Sequence, residues 1–510
     1  MSSSTRTSLS PSLHLPPPSF HPGQLVMVDI PGKTLAPETA AFLRDHRVRA
    51  VCLFRKNLGS EDEIRRLTAD LAAVLGPKAL IGIDQEGGSV IRATCMPQAP
   101  AAMALGAADD EAQAEAVGAA VARGLRALGI NWNFAPVLDV NSNPANPVIA
   151  ERSFGADPHR VARLAAAWMR GSLSEGVACC VKHFPGHGDT HVDSHHALPT
   201  VDKSLAELEA LELIPFRALA QGANAAPAVM TAHIVYPQLD PLHPATLSHA
   251  VLTGVLRQAL GYHGVVITDA LMMKAVHERY GHARAAVLAL RAGADMPLAQ
   301  GTAAEQAAAI EAIGQALVEG DIDEDAALQA CARLDALAER FPLQTVPYAA
   351  EQRAADDALM HMAWARGLCV LRQATPPEQD TPLRVITQAR VDSDGVSEAG
   401  LPASEVMALF EGFANVEYVT LNDLSALEPH HLPEDGRMNV LVSNHRARYA
   451  QGARVAQPHL HLALWNPFQV LDIAAPAVVS WGYAQGALRA VKSWLRGELS
   501  VSATPPVPLP

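Results

Sequence analysis

Eight short apolar runs alternate with longer, Ala-rich amphipathic stretches through the first 300 residues. The runs span residues 24–30, 48–54, 79–84, 130–136, 177–183, 228–233, 264–269 and 294–298. Apolar runs of this length without polar alternation are typical of strands buried on both faces, and the intervening stretches are long enough for crossover helices. The pattern predicts a (β/α)₈ TIM-like barrel, with a doubly wound open sheet as the alternative architecture.

Polar residues stand where these predicted strands end. Asp84, His183, His233 and Asp269 each close a run, and Asp139 follows another. In a barrel all these ends meet on one face, where the active sites of this fold lie. We therefore expect a catalytic site at that face, because scattered structural histidines would have no reason to choose strand ends.

Residues 182–196 concentrate ionisable side chains in one segment, with five histidines, two aspartates and a lysine. Pro185 stops a helix and Gly186 and Gly188 permit unusual backbone angles, so the segment is predicted to be a shaped loop. Structural histidines, a metal site and acid–base catalysis all fit this composition. Asp193 and His195 lie two residues apart, so an extended segment would project both side chains to the same side.

The motif Lys-His-Phe-Pro-Gly-His-Gly-Asp-Thr-x-x-Asp-Ser-His, with the Leu-Pro that follows, spans residues 182–199. It resembles the signature of the β-N-acetylglucosaminidases of glycoside hydrolase family 3. The resemblance implies an acid–base pair of His195 and Asp193 in place of the usual carboxylic acid. Residues 264–274 are similar to the family's nucleophile segment, which implies Asp269 as the nucleophile.

The resemblance also implies a set of sugar-binding residues. The segment Asp-Gln-Glu-Gly-Gly from residue 84 and the segment Glu-Arg-Ser-Phe-Gly from residue 151 match the family pattern. The implied substrate-binding residues are Asp84, Arg92, Arg152, Lys182 and His183. An ordinary ion pair is the alternative role for the two arginines. The family commonly has arginine directly after Gly-Gly, whereas this chain has Ser89, so the contacts on that side are expected to differ.

The implied activity is that of a retaining exo-β-N-acetylglucosaminidase acting on small glycans such as peptidoglycan fragments, with no cofactor and no metal. A carboxylate beside the anomeric carbon and a proton donor beside the leaving oxygen both lower the barrier to glycosidic cleavage. A phosphorylase using the same residues is an alternative, because a neutral imidazole would not repel phosphate as a carboxylate would. A non-catalytic glycan-binding protein and a metal-dependent hydrolase are further alternatives.

Composition excludes several partners. The formal charge of −14, with a pI near 5.8, disfavours a nucleic-acid groove, which needs clustered Lys and Arg. No run is long and apolar enough for a membrane span, and the six scattered cysteines imply no disulfide framework. We expect a cytoplasmic protein; the sequence does not predict its oligomeric state.

A second domain is predicted after the barrel. The expected divisions are a disordered leader (1–20), the barrel (21–345), a connecting helix and linker (346–382, with the helix over 351–371), a C-terminal α/β domain (383–500) and a disordered tail (501–510). Five apolar runs, at 383–387, 416–421, 439–443, 460–464 and 477–479, predict a smaller layered αβα sandwich. Every candidate catalytic residue precedes position 300, so a chain ending near Gln344 is expected to keep the chemistry.

Overall fold

Eight parallel strands close into a barrel in the computed structural model, which describes residues 20–194, 197–393 and 396–510. The strands are β1 (Met27–Asp29), β2 (Ala50–Leu53), β3 (Leu80–Ile83), β4 (Trp132–Asn133), β5 (Ala178–Phe184), β6 (Ala228–Thr231), β7 (Val265–Ala270) and β8 (Met296–Leu298). Each strand pairs with its neighbour in sequence, and β1 pairs with β8 to complete the ring. The prediction of a (β/α)₈ barrel is confirmed, and the open-sheet alternative is wrong.

Helices of the barrel domain fill the connections. They span Pro37–Asp45, Glu61–Leu75, Ala102–Ala108, Glu111–Ala127, Pro158–Ser174, Leu205–Ala210, Leu213–Ala218, Ala250–Ala259, Lys274–Tyr280, His282–Ala292, Ala303–Glu319 and Glu324–Arg340. Several begin at strong caps: Ser60 and Glu63 form a capping box at one helix, and Thr302 and Glu305 form another. Across the part of the chain that the structure describes, every helix is too short or too polar to cross a membrane.

Burial explains why the strands read as continuous apolar runs. Every residue of β2 through β6 is buried, because side chains face either the barrel interior or the surrounding helices. In β7 only the last two residues, Asp269 and Ala270, are partly exposed. The sheet therefore opens towards solvent at its carboxyl end, where the predicted site residues are located.

The C-terminal domain contains a six-stranded sheet. Its strands are β9 (Cys369–Leu371), β10 (Leu383–Gln388), β11 (Val416–Leu421), β12 (Met438–Ser443), β13 (Leu460–Ala463) and β14 (Ala477–Val479), in the order β9-β14-β13-β12-β10-β11. The helices Ala403–Met407, Gln469–Asp472 and Gln485–Leu495 accompany this sheet. The predicted α/β domain and its five strands are confirmed.

The connecting helix ends earlier than the sequence predicts. It spans Ala350–Gly367 rather than reaching Leu371, and the residues after it form β9, which pairs antiparallel with β14. Cys369 and Leu371 are buried in the second domain's sheet. A short apolar run after a helix is ambiguous by periodicity alone, and the strand forms because β14 offers an edge that needs a hydrogen-bonding partner.

The prediction of a disordered tail at 501–510 is wrong. The Ala156 N–H donates to the Pro506 carbonyl at 3.0 Å, and Val507 is buried in the cluster that joins the two domains. That cluster packs Trp364 and Trp481 against Met103 of the barrel domain. Proline-rich backbone lacks donors, but its carbonyls accept hydrogen bonds and its rings add apolar surface, which fastens this segment. The predicted leader falls almost wholly on residues 1–19, outside the described residues.

Candidate active site

A cavity of about 570 Å³ opens at the carboxyl ends of the barrel strands. The strand-end residues Asp84, Lys182, His183 and Asp269 line it, although they are as far as 185 positions apart in the chain (269 − 84). Arg92 and Arg152, from the loops after β3 and β4, also line it. Six of the eight predicted site residues are thus brought to one pocket of a size suited to a small ligand.

A buried chain of ion pairs crosses the floor of this pocket. The Lys182 ammonium lies 2.6 Å from both Asp84 Oδ1 and Glu86 Oε1. Arg152 binds Glu86 with both arms of its guanidinium, at 2.9 Å from Nε and 2.8 Å from Nη2. Sequence reasoning missed Glu86, although it lies two residues after Asp84 in the motif that was singled out. Its position between two buried cations makes it the centre of the network.

Glu86 and Lys182 keep their charges in this buried site because each faces opposite charges. Burial alone would raise the pKa of Glu86, but Arg152 and Lys182 hold it far below the usual range. Burial alone would lower the pKa of Lys182, but Asp84 and Glu86 raise it overall. Paired buried charges of this kind hold their side chains in one geometry, since removing either partner leaves an uncompensated charge.

Asp139 organises the start of the histidine-rich loop. Its carboxylate lies 2.7 Å from His183 Nδ1 and accepts the backbone N–H groups of His183 at 3.1 Å and His187 at 2.6 Å. Burial would raise the pKa of Asp139, but the neighbouring His183 and these hydrogen bonds lower it overall. Asp139 is fully buried, and it therefore shapes the His183 side of the pocket from below.

The buried His187 side chain holds the histidine-rich loop in place through hydrogen bonds. Its ring contacts Thr190 Oγ1 at 3.0 Å and Ser194 Oγ at 2.9 Å, and its carbonyl accepts from Asn146 Nδ2 at 2.9 Å. Burial, aided by the nearby His183, lowers the pKa of His187 to about 4, so the ring stays neutral. The predicted shaped loop therefore has an internal polar anchor, which its Gly-His-Gly spacing alone did not reveal.

The two members of the predicted acid–base pair stand differently in the structure. His195 lies outside the described residues. Asp193 is half-buried in the loop, and its carbonyl accepts from the Ala197 N–H at 3.1 Å. Ser194, directly before His195 in the chain, is buried and held by His187. The loop is thus anchored up to residue 194.

Asp269 is the penultimate residue of β7 and lines the pocket. Its Oδ1 accepts the N–H of Ala270 at 2.8 Å. His233, two residues after β6, supports this strand end, with Nε2 3.0 Å from the Ala270 carbonyl and Nδ1 2.8 Å from Thr246 Oγ1. The Ala270 N–H thus holds the Asp269 carboxylate directly, while His233 holds the backbone of the next residue. Apolar side chains complete the pocket, provided by Phe54, Phe134, Met230, Met273 and Leu298. Such a mixture suits a ring with polar edges and a C–H face.

The second domain forms part of the pocket wall. Ser393, Val396, Glu398 and Ala399 line the cavity, and Arg92 pairs with Glu398 at 2.8 Å. The candidate catalytic residues precede position 300, whereas part of the pocket wall follows Gln344, so whether a chain ending there keeps the chemistry stays a prediction. Sequence reasoning could not find these wall residues, since nothing local in residues 393–399 marks them.

Ser89, which stands where the family pattern commonly has arginine, contacts a buried carboxylate. Its hydroxyl donates to Glu151 Oε1 at 2.7 Å, and Trp465 of the second domain donates to the same oxygen at 2.9 Å. Glu151 is fully buried beside Arg152. Among residues 20–194, 197–393 and 396–510, no cluster of three or more His, Cys, Asp or Glu side chains is arranged to hold a metal ion.

The fold and the ring of ionisable strand-end side chains are those of a barrel enzyme, and comparison with known proteins identifies its family. The model of the glycosyl hydrolase family 3 N-terminal domain matches residues 21–337. The beta-hexosaminidase of Neisseria meningitidis serogroup C is 40% identical over 285 residues, covering 54% of this chain and 78% of that protein. The chain belongs to glycosyl hydrolase family 3 and is a glycoside hydrolase, as the motif predicted.

Similarity to solved structures extends to the second domain. The family 3 beta-N-acetylglucosaminidase from Paenibacillus sp. str. FPU-7 is 34% identical, with a TM-score of 0.86, covering 96% of this chain and 98% of that chain. Other relatives are longer: beta-hexosaminidase A of Pseudoalteromonas piscicida is 39% identical over 287 residues, and the match covers 48% of its length. The chain thus spans about half of that relative.

Proposed function

We propose that this chain is a retaining exo-β-N-acetylglucosaminidase that removes terminal β-linked N-acetylglucosamine from small glycans, peptidoglycan fragments among them. The observation that carries the proposal is the single cavity shared by Asp269 and the Asp84–Lys182–Glu86–Arg152 network. The beta-hexosaminidases and the beta-N-acetylglucosaminidase among its relatives support the choice of sugar.

In this proposal Asp269 is the nucleophile. A carboxylate fixed at a strand end and open to the pocket can attack the anomeric carbon, which breaks the bond to the leaving oxygen and forms a covalent glycosyl-enzyme. The alternative carboxylates are less suited to this role. Asp139 is fully buried against His183 beneath the pocket, and Asp84 forms an ion pair with Lys182 at 2.6 Å.

His195, assisted by Asp193, is the proposed proton donor to the leaving oxygen and the later base for water. This assignment is supported by the motif and by the anchoring of Ser194, one residue before His195. A histidine in this role needs a partner that orients the ring and stabilises its charged form. Asp193, two residues earlier, is the proposed partner, with the carboxylate remaining ionised.

The remaining residues bind the sugar. Lys182, Arg152 and Arg92 supply donors to hydroxyl groups, and Asp84 supplies acceptor oxygens. Since their charges are largely neutralised within the network, they present directed hydrogen bonds rather than a net field. A neutral, hydroxyl-rich ring matches such a surface.

The proposal includes a cytoplasmic location, which is the location that the sequence predicts.

A panel of aryl β-glycosides tests the proposal. We expect the N-acetylglucosaminide to be cleaved with a kcat/KM roughly a hundredfold above that of the β-glucoside. Faster cleavage of the glucoside would refute the sugar assignment.

Product analysis by NMR tests the mechanism. The first product released should be the free β-anomer of the sugar, both with and without phosphate. A sugar phosphate would identify a phosphorylase, and the α-anomer would exclude retention. Activity lost on exhaustive EDTA treatment would indicate a metal-dependent hydrolase.

A further inference from the structure

A short segment of the C-terminal domain forms the pocket wall across from Asp269. In the closed strand order, β3 and β7 are four positions apart in either direction, so they lie on opposite sides of the barrel. Asp269 lies at the carboxyl end of β7, whereas Arg92 follows the hairpin (Gln85–Gly87 with Val90–Ile91) that succeeds β3. Val396 and Glu398 lie over this β3 side and line the cavity with Arg92.

Arg92 is oriented almost entirely by the second domain. Its Nη1 donates to Glu398 Oε1 at 2.8 Å, and its Nη2 donates to the Val396 carbonyl at 2.6 Å. A guanidinium has five N–H groups in a rigid plane. Two bonds on one edge therefore fix that plane and leave other N–H groups available to a ligand in the cavity.

Glu398 is itself held in place by backbone and side-chain contacts. Its N–H donates to the Ser89 carbonyl at 2.9 Å, and its own carbonyl accepts from Tyr483 Oη at 2.8 Å. Val396 packs in a small apolar cluster with Val90 and residues of the loop after β4. The segment is thus clamped on both the barrel and its own domain, and it does not depend on the Arg92 ion pair for its position.

The ion pair between Arg92 and Glu398 is largely buried. The Arg92 side chain is 10% exposed and that of Glu398 is 23% exposed, so solvent screens their interaction only partly. The other cation near Glu398 is Arg55, whose Nε lies 3.8 Å from Oε2 and whose side chain is half exposed. Without Glu398, Arg92 would keep the Val396 carbonyl but lose its charged partner, and its guanidinium would be drawn towards Asp84 in the pocket.

We propose that Glu398 is a positioning and specificity-determining residue, which orients Arg92 towards the non-reducing end of the sugar and closes the pocket to any chain extension there. The proposal rests on the proposed function, because it takes Asp269 as the group facing the anomeric carbon. C1 and C4 are at opposite ends of a pyranose ring. A ring with C1 at Asp269 therefore directs its C4 hydroxyl towards the β3 wall, where Glu398 and Arg92 stand.

Steady-state kinetics of the full-length chain on the aryl glycoside that it cleaves best test the positioning role. For Glu398→Ala we expect KM to rise about tenfold while kcat changes less than about threefold, because a binding contact shared by ground and transition states is weakened. Glu398→Gln keeps an acceptor oxygen for Arg92, so its KM should lie between that of the wild type and that of Glu398→Ala. Glu405→Ala removes an exposed carboxylate of the same domain and should match the wild type.

A double-mutant cycle with Arg92→Ala separates positioning from a general effect of the interface. The two substitutions should be strongly non-additive in kcat/KM, since each removes the same interaction. An unchanged KM in Glu398→Ala with a lower Tm would show a merely structural ion pair and overturn the proposal. Additive losses would overturn it as well.

A 4-O-methyl derivative of the same glycoside tests the closure of the pocket. The wild type should discriminate against it, and Glu398→Ala should reduce this discrimination about tenfold. Equal discrimination in both proteins would refute the specificity role. Failure of the proposed function gives a different result. If the wild type prefers another β-glycoside, that glycoside becomes the parent substrate, and the kinetic and 4-O-methyl comparisons remain valid. If Asp269→Asn retains full activity, the orientation of the sugar on which the proposal rests is lost.

Discussion

Trp465 of the C-terminal domain donates its indole N–H to the fully buried Glu151 of the barrel at 2.9 Å. The same Glu151 oxygen accepts from Ser89, and the Arg446 guanidinium lies 3.9 Å from the other oxygen. Glu151 directly precedes Arg152 of the pocket network. One carboxylate therefore joins the two domains next to the residues that form the site.

Glu151→Ala should lower the free energy of unfolding by about 2–4 kcal/mol, because two buried donors lose their acceptor. It should also weaken substrate binding, since the segment carrying Arg152 loses its anchor. Chemical denaturation and steady-state kinetics check both effects, with the exposed Glu311→Ala as control. A stability equal to that of the control would show that Glu151 does not join the domains.

Asp269→Asn should reduce kcat roughly a thousandfold or more while leaving Tm and sugar binding largely intact, because in the proposed mechanism only covalent bond formation needs the carboxylate. Residual turnover, thermal melts and calorimetric binding of N-acetylglucosamine measure the three quantities. Asp321→Asn, at an exposed position, is the matched control. Activity within about tenfold of wild type would move the nucleophile to another carboxylate.

His195→Ala should slow glycosides with basic leaving groups by about a thousandfold but activated aryl glycosides by no more than about tenfold, since a good leaving group needs little protonation. Asp193→Ala should give a milder version of the same pattern, because its carboxylate orients the ring. A series of aryl glycosides of graded phenol pKa measures this dependence. Uniform loss on all substrates, together with a lower Tm, would instead indicate a structural histidine.

Glu86→Gln should cost about 3–5 kcal/mol of stability, because Lys182 and Arg152 would be left as buried charges without their shared partner. In the wild type the lowered pKa of Glu86 contributes stability above the unfolded-state pKa near 4.3 that is lost as the pH falls further. Denaturation at pH 7 measures the cost. A loss below about 1 kcal/mol would mean that the network reorganises around the amide.

Mild acid should destabilise the C-terminal domain through two buried histidines. Burial lowers the pKa of His445 to about 4 and that of His461 to about 3. The unfolded chain binds these protons near pH 6.5, so stability falls as the pH drops from about 6.5 to 4, by up to about 1.4 kcal/mol per pH unit for each histidine. His445→Gln should flatten this slope, whereas His263→Gln, at an exposed position, should not. An equal dependence of stability on pH in the two variants would contradict the assignment of this dependence to His445.

Local pattern was sufficient for the architecture. Strands buried on both faces require unbroken apolar runs, and each of the eight runs coincides with a barrel strand to within a few residues at either end. The same logic brought Asp84, Lys182 and Asp269 together, because the carboxyl ends of parallel strands must converge in a closed ring. The motif of residues 182–199 then predicted the family, which the comparison confirms.

Contacts between distant residues required the tertiary structure. Glu398 reaches Arg92 across 306 positions, and Trp465 reaches Glu151 across 314. Neither position has a local signature, because a carboxylate or an indole reads as an ordinary surface or core residue until its partner is known. Glu86 was overlooked for the same reason: its role depends on two cations brought to it by other strands. Sequence by itself determined which strand ends meet, whereas the folding of the barrel loops and the docking of the second domain decided which charges are buried together, since ion pairing and desolvation depend on distance in space rather than along the chain.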